Sequence, residues 1–302
     1  MAKGEWRTTT ALIDRAREIL DRENPMTVRQ LLYRLVGIGF LKSTGHSFYS
    51  KVVRDILKAR EDGRIPWEWI VDRSRPEYTP SMFDDVEQFA EVVKNAYRKN
   101  YWAMQPNHVE LWSEKDAIYG SVQSVTDDLG VTVRVGRGYN SATKRHEIEV
   151  LFRQISRTKR IYVLYLGDFD PSGMSIEKVL TEKINANFSF RRLAIHKADI
   201  KRFNLPPLLT KESDSRTPGF IEKHGKDCVE LDALPPVELR RRIREAVEAL
   251  MDKDRWALAI NMEKAELNSI LSSMEAWKNL PTMPDGTSAT AGKKRKRKAP
   301  NS

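Results

Sequence analysis

The sequence predicts an α/β protein in which a small helical domain precedes a larger domain built on a parallel sheet. Three observations carry that prediction. From residue 107 onward, short apolar runs alternate with amphipathic stretches, the pattern of successive βαβ units. One run, 161–166, is apolar or aromatic throughout and rich in β-branched residues, as a strand buried on both faces must be. The first seventy or so residues instead space their apolar side chains for helices, with Pro and Gly between them.

Residues 9–22 place Leu12, Ile13, Ala16, Ile19 and Leu20 at helical spacing, and Asn24-Pro25 breaks the pattern. Thr27 is the N-cap expected for a second helix, 28–39, whose apolar face is Val28, Leu31, Leu32 and Leu35. At about 100° per residue, Tyr33 lies roughly 130–140° from the centre of that face, so it is not placed as core. Arg29 precedes it by one turn on the same side, and the commoner alternative for such a residue is an amphipathic tyrosine at a domain interface. A loop then leads to a third helix, 48–62, with a stripe of Tyr49, Val52, Val53, Ile56 and Leu57 and an opposite face of Lys51, Arg54, Asp55 and Lys58. Gly63 is its expected stop. After it Ile65, Trp67, Trp69 and Val71 alternate as a β wing would. Three helices and a wing read as a winged helix-turn-helix over residues 1–75, with the third helix facing a DNA groove. Residues 76–106 read as a linker carrying one amphipathic helix, 83–100.

The sheet domain is expected over 107–280. Strand 108–113 ends at Glu114, and a helix, 115–129, follows. Strand 131–135, a loop and helix 142–156 come next, then strand 161–166, which runs through Gly167 into Asp168 and Asp170. Helix 172–186 and strand 191–196 complete the alternation. Residues 197–229 read as irregular. A helix starts at Pro235 and Pro236, residues 250–277 are helical, and 281–302 is a disordered basic tail. Its run KKRKRK, 293–298, is compatible with a nuclear-import signal, a nucleic-acid arm or a solubilising tail.

Composition narrows the function. The net charge is +10, from 52 Lys+Arg against 42 Asp+Glu, and the tail run supplies six of those cations. Such a balance suits a polyanionic partner. The single Cys228 excludes an internal disulfide framework, and the scattered histidines have no metal-ligand spacing. An apolar signal-peptide core and a membrane-length apolar run are both missing. The expectation is a cytoplasmic, DNA-associated protein, or a nuclear one if the tail is an import signal.

The chemistry concentrates where strands end. Asp168 and Asp170 stand one residue apart after a central strand, where open α/β sheets place ligands. Two such carboxylates repel unless a cation lies between them, and oxygen-only ligands suit Mg²⁺. A solvated acidic turn is the alternative. Glu114, at the end of a neighbouring strand, adds a third carboxylate to that edge and favours the metal. Arg34, Lys51, Arg54, Lys58, Lys144 and Arg145 are candidate DNA-phosphate contacts.

These residues carry a resemblance. A Glu closing one strand and an Asp-x-Asp some fifty residues later, in WSEKDAI and GDFDPSG, resemble a Toprim domain, a parallel-sheet, Rossmann-like fold. The version here is similar to that of the topoisomerase VI A subunit and its meiotic double-strand-break relatives. In that family a winged-helix domain comes first and carries an Arg-x-x-Tyr-Tyr-like motif whose second Tyr is the nucleophile. In TVRQLLYRLV, Arg29 is present and Tyr33 falls at the nucleophile position, whereas Leu32 stands where the family often has its first Tyr. ELDAL, 230–234, also resembles the family. The resemblance covers roughly 10–260 and is nearest to the short stand-alone A-subunit-like proteins of phages and plasmids.

The resemblance implies a type IIB-like DNA topoisomerase, an isomerase that cleaves DNA by Mg²⁺-dependent tyrosine transesterification and leaves a reversible 5′-phosphotyrosyl adduct. Tyr33, Arg29 and Glu114 become the implied catalytic residues, and Glu114, Asp168 and Asp170 the implied metal ligands. A homodimer in which the Tyr of one protomer meets the metal of the other is implied too. The chain has no Gly-rich ATP-binding motif, so any ATPase would be a separate subunit. The alternatives are a Toprim hydrolytic nuclease and a non-catalytic DNA-binding module.

Overall fold

The structure is a computed structural model that describes residues 9–71, 82–135, 142–209 and 216–278. Its contacts divide the chain into two compact units, Met1–Tyr78 with Asn100–Ala257 and Thr79–Lys99 with Leu258–Ser302, as far as their residues are described. The helical segment and the sheet segment fall within the first of these units. Most of the expected linker belongs to the other. The predicted basic tail and the loop 136–141 lie outside the described residues.

The first unit opens with three helices, α1 (Thr9–Glu23), α2 (Val28–Gly37) and α3 (His46–Glu61). Leu12, Ile19, Leu20, Leu31, Leu35, Val52 and Ile56 pack between them. Thr27 caps α2 as expected: its hydroxyl accepts from the Gln30 N–H, and the Gln30 side chain accepts from the Thr27 N–H. Two expectations change here. The buried face of α3 is Val52, Asp55, Ile56 and Ala59, while Val53 and Leu57 are exposed. Asp55 tolerates burial because Lys51 and Arg54 both pair with it. The expected wing strand is instead a 3₁₀ turn, Trp67–Trp69, after Pro66, which has no N–H to give to a ladder. Ile70 alone makes a bridge, to Met26. Trp67 stays 54% exposed because Arg60 covers its ring at 4.2 Å rather than the core.

The sheet is four-stranded and parallel, in the order β2-β1-β3-β4. Its strands are β1 (Asn107–Ser113), β2 (Thr132–Val135), β3 (Arg160–Leu166) and β4 (Ser189–Ala194). Strand period two divides β3 cleanly: Ile161, Val163 and Tyr165 join one core, Leu164 and Leu166 the other. The first core also receives α6 (Ala142–Ile155) through Ile148 and Phe152, and α7 (Pro171–Lys183) through Leu180. On the opposite face lie α5 (Tyr119–Asp128) through Val122 and Val125, and α10 (Pro236–Glu248) through Leu239 and Ile243. Helices on both faces explain why 161–166 carries no charged side chain. Each fully buried Ile, Val or Leu there contributes about 1.5–3 kcal/mol.

One carboxylate is buried within the sheet. Glu110 of β1 is 1% exposed and receives both Nε (2.6 Å) and Nη2 (2.9 Å) of Arg134, with Trp112 Nε1 at 2.7 Å. The segment read as irregular, 197–229, holds short elements: α8 (Lys197–Arg202), a two-residue strand pair β5 (Leu208–Leu209) and β6 (Asp227–Cys228), and α9 (Thr217–His224). These are too short for periodicity to register. Tertiary ion pairing holds α8 instead, since buried Asp199 accepts a fork from Arg242 of α10 at 2.6 and 2.8 Å. In the second unit, α4 (Val86–Ala96) is followed by Tyr97 and Lys99, which bind Glu266 of α11 (Lys253–Lys278) at 2.6 and 2.5 Å. Among the described residues no helix is long and apolar enough to cross a membrane.

Candidate active site

The strand order places β1 and β3 side by side, with β1 connecting outward to β2 and β3 to β4. The order of strand addition therefore reverses between β1 and β3, and the crevice beyond their carboxyl ends is where such sheets bind ligands. Glu114 leaves β1 and Asp168 leaves β3 at that point.

The turn after β3 is built by close contacts. Asp170 caps α7, its Oδ1 accepting from the Gly173 N–H at 2.6 Å. A Cβ on Gly173 would stand 2.3 Å from the Asp168 carbonyl oxygen, so only glycine lets α7 start this near the strand end. Arg192 of β4 donates to the carbonyls of Gly167 (3.1 Å), Asp168 (3.2 Å) and Ala194 (3.3 Å), and also to that of Gly173. The loop bearing both aspartates is thus held at its backbone carbonyls by Arg192.

A lysine stands among the carboxylates. Lys115 Nζ lies 3.1 Å from Asp168 Oδ1, 3.2 Å from Glu230 Oε2 and 2.9 Å from Asp232 Oδ2. Glu230 and Asp232 belong to ELDAL, whose Leu231–Ala233 forms a 3₁₀ turn. That turn is also tied to Asp168, whose Oδ1 accepts from the Leu231 N–H at 2.7 Å. Glu230 has a second cation, Arg29 of α2, at 2.7 Å. Glu114 accepts from the Tyr165 hydroxyl at 3.3 Å.

Unequal sharing of the cations explains the electrostatics. Burial pushes the Asp168 carboxyl up, and neighbouring Glu114 adds to the push; its share of Lys115 does not cancel them, so its pKa stands at about 6. Burial also opposes the charge on Glu230, yet Lys115 and Arg29 together hold its pKa below the usual carboxylate range. Lys115 is desolvated, but the three carboxylates raise its pKa above that of an ordinary lysine.

Tyr33 is placed as an interface tyrosine between the helical and sheet segments. It is 1% exposed and packs in the same core cluster as Leu111, Phe169 and Leu231 of the sheet segment. Helical geometry places it off the three-helix core correctly; the face it occupies is covered by the Leu231–Ala233 turn, against which α2 packs. Its hydroxyl is buried and makes no hydrogen bond of normal geometry, with the Glu230 carboxylate acting on it only weakly. Desolvation first, and the charge of Glu230 second, push its pKa above that of a free phenol, against the lowering pull of Arg29 and Lys115. Arg29 covers the ring at 5.8 Å.

Of the sequence-predicted residues, Arg29, Tyr33, Glu114 and Asp168 meet in this region of one chain, with Asp170 serving as a helix cap. Among the described residues no group of three or more His, Cys, Asp or Glu side chains is arranged to hold a metal ion. Only the type of donor is the one Mg²⁺ takes. The donors are carboxylate oxygens, the four acids Glu114, Asp168, Glu230 and Asp232 outnumber the two cations, and buried Asp232 Oδ1 has no partner. The predicted DNA contacts divide. Arg34 is committed to Glu23 at 2.8 Å and Lys51 to Asp55 at 2.5 Å, both on part-buried side chains. Arg54 and Lys58 are exposed on α3. Lys144 is exposed and pairs with Glu147, and Arg145 is half-buried.

Sequence reasoning missed Lys115, Glu230 and Asp232 as site residues. Their signal was charge inside WSEKDAI and ELDAL at element ends, but spacing alone could not say that the two segments meet. Comparison with protein-family models and with curated proteins found no match for the chain.

Proposed function

We propose that the protein cleaves double-stranded DNA by tyrosine transesterification, as an A-subunit-like enzyme of the topoisomerase VI kind. In this reading residues 9–71 belong to a winged helix-turn-helix domain and the four-stranded sheet to a Toprim domain. The observation that carries it is one chain of ion pairs, Arg29–Glu230–Lys115–Asp168, joining the helix that bears Tyr33 to the carboxylate edge of the sheet.

Tyr33 Oη would attack a backbone phosphorus. The phosphorus–oxygen bond to the 3′ carbon's oxygen breaks, the phenol proton is lost, and the freed 3′ oxygen takes up a proton. The product is a 5′-phosphotyrosyl bond, which keeps the energy of the phosphodiester, so resealing needs no ATP. Arg29 would bind the phosphate, since its fork matches two phosphate oxygens. Glu114 and Asp168, with Asp170, would hold Mg²⁺, which when bound supplies charge neutralisation at the phosphate and the leaving oxygen. Arg54 and Lys58 on α3 would hold the duplex. A homodimer would cut both strands, and a separate ATPase subunit would be needed for strand passage.

Burial of Tyr33 favours a second reading, in which Tyr33 is structural and water attacks a phosphate at the same Mg²⁺ site. A denaturing gel after incubation with end-labelled duplex and Mg²⁺ separates the two. A covalent protein–DNA adduct that disappears in Tyr33→Phe is expected. Cleavage without adduct selects hydrolysis, and binding without cleavage selects a DNA-binding module. Mixing Tyr33→Phe with Asp168→Ala protomers then tests sharing between subunits: recovery of nicking means a site built from two chains.

A further inference from the structure

One carboxylate joins the two halves of the site. Glu230 receives Arg29 Nε at 2.9 Å on Oε2 and Nη2 at 2.7 Å on Oε1, while Lys115 Nζ approaches the same carboxylate from the sheet side at 3.2 Å. Beside this bridge, α2 rests on the Leu231–Ala233 turn and Tyr33 is shut in, 1% exposed and with a hydroxyl that makes no hydrogen bond of normal geometry. A phosphodiester of duplex DNA cannot reach a hydroxyl so placed. Meanwhile the Arg29 side chain is 45% exposed, so the outer half of the bridge is open to an incoming anion.

A guanidinium fork accepts a carboxylate or a phosphate through the same two parallel hydrogen bonds. We infer that Glu230 is a positioning residue that stands in for a DNA backbone phosphate and keeps Tyr33 closed until a real phosphate replaces it. The exchange conserves charge at Arg29, which gives up one anion for another. Glu230 is not stranded either, because Lys115 remains to pair with it. With the bridge broken, only apolar packing still ties α2 to the turn, and Tyr33 becomes accessible. The identity of the incoming anion rests on the proposed DNA-cleaving function, whereas the closure of Tyr33 by the bridge does not.

Nitration of tyrosines by tetranitromethane, mapped by mass spectrometry on the full chain without DNA, tests the closure. Tyr165, fully buried in the sheet, reports global unfolding. Glu230→Gln and Arg29→Gln should each raise nitration of Tyr33 several-fold over wild type while Tyr165 stays unmodified. An unchanged Tyr33 in both variants overturns the inference. So does joint modification of Tyr33 and Tyr165 in both, since the bridge is then a structural brace and not a gate. Fluorescence anisotropy with a short duplex tests the exchange: Glu230→Gln should bind several-fold more tightly than wild type, and equal affinities overturn the phosphate-for-carboxylate step. An opened Tyr33 that forms no adduct would sink the cleavage reading and leave the gate standing.

Discussion

The ammonium of Lys115 lies 3.1 Å from Asp168 Oδ1, so the strand-end aspartate meets a cation supplied by the chain itself. The same ammonium serves Glu230 and Asp232; Glu230 has Arg29 as well, but Asp168 has only its share of one lysine. The behaviour of the site under mutation and pH follows from that shortage.

Lys115→Met should destabilise the protein by about 3 kcal/mol, because it leaves buried carboxylates without their counter-ion. Asp232→Asn in the same chain should restore part of the loss, since one of the stranded charges is then gone. Chemical denaturation of the single and double variants forms the cycle. Strict additivity would mean that the 2.9 Å contact between Lys115 and Asp232 contributes nothing.

Tyr33→Phe should leave stability unchanged or raise it by about 1 kcal/mol, because it deletes a buried hydroxyl that makes no hydrogen bond of normal geometry. The urea midpoint measures this. A loss of more than about 1 kcal/mol would show that the hydroxyl is hydrogen-bonded in solution. The same variant should form no covalent DNA adduct, so stability and chemistry separate at one atom.

Asp168 has its folded-state pKa raised from 3.8 to about 6. Between those values the folded protein binds more protons than the unfolded chain, so this group's contribution to stability falls as pH rises through the window. The loss amounts to at most roughly 3 kcal/mol. Asp168→Asn should remove that slope, so its stability relative to wild type should increase from pH 4 to pH 7. Parallel wild-type and variant curves would refute the assignment.

Glu110 has the opposite sign. Burial raises its pKa, but the hydrogen bonds from His108, Arg134 and Trp112 outweigh burial and bring it from 4.5 to about 2. Its stabilisation is complete above the unfolded value and is lost as pH falls towards 2. Glu110→Gln should therefore flatten the acid limb of a stability–pH profile, by an amount on the order of 3 kcal/mol. Thermal melts between pH 2 and 5 measure it.

Much of the architecture was legible in the chain. The apolar run 161–166 and the alternation around it led to a parallel sheet, and β1 to β4 lie within one or two residues of where periodicity put them. The ends of β1 and β3 carried Glu114 and Asp168 to one edge. The short elements in 197–229 were not legible, because α8 is held by Arg242 gripping Asp199 and not by a repeating apolar face. The Trp67–Trp69 alternation misled because period two also fits a turn in which one Trp packs under Arg60.

The sequence alone determined which residues stand at strand ends, which helix bears Tyr33, and that Tyr33 lies off the apolar face of its own helix bundle. Those are local properties, set by repeat period and by Pro, Gly and capping residues. The tertiary structure decided what covers the off-face tyrosine and which charges meet. Arg29 and Glu230 are 201 positions apart, and their ion pair exists only because α2 is packed on the turn after β6. Burial of Tyr33 and the crowding of carboxylates around Lys115 come from the same packing. Periodicity reports that a face is buried or exposed within its own element, and carries no record of a distant segment that folds over it.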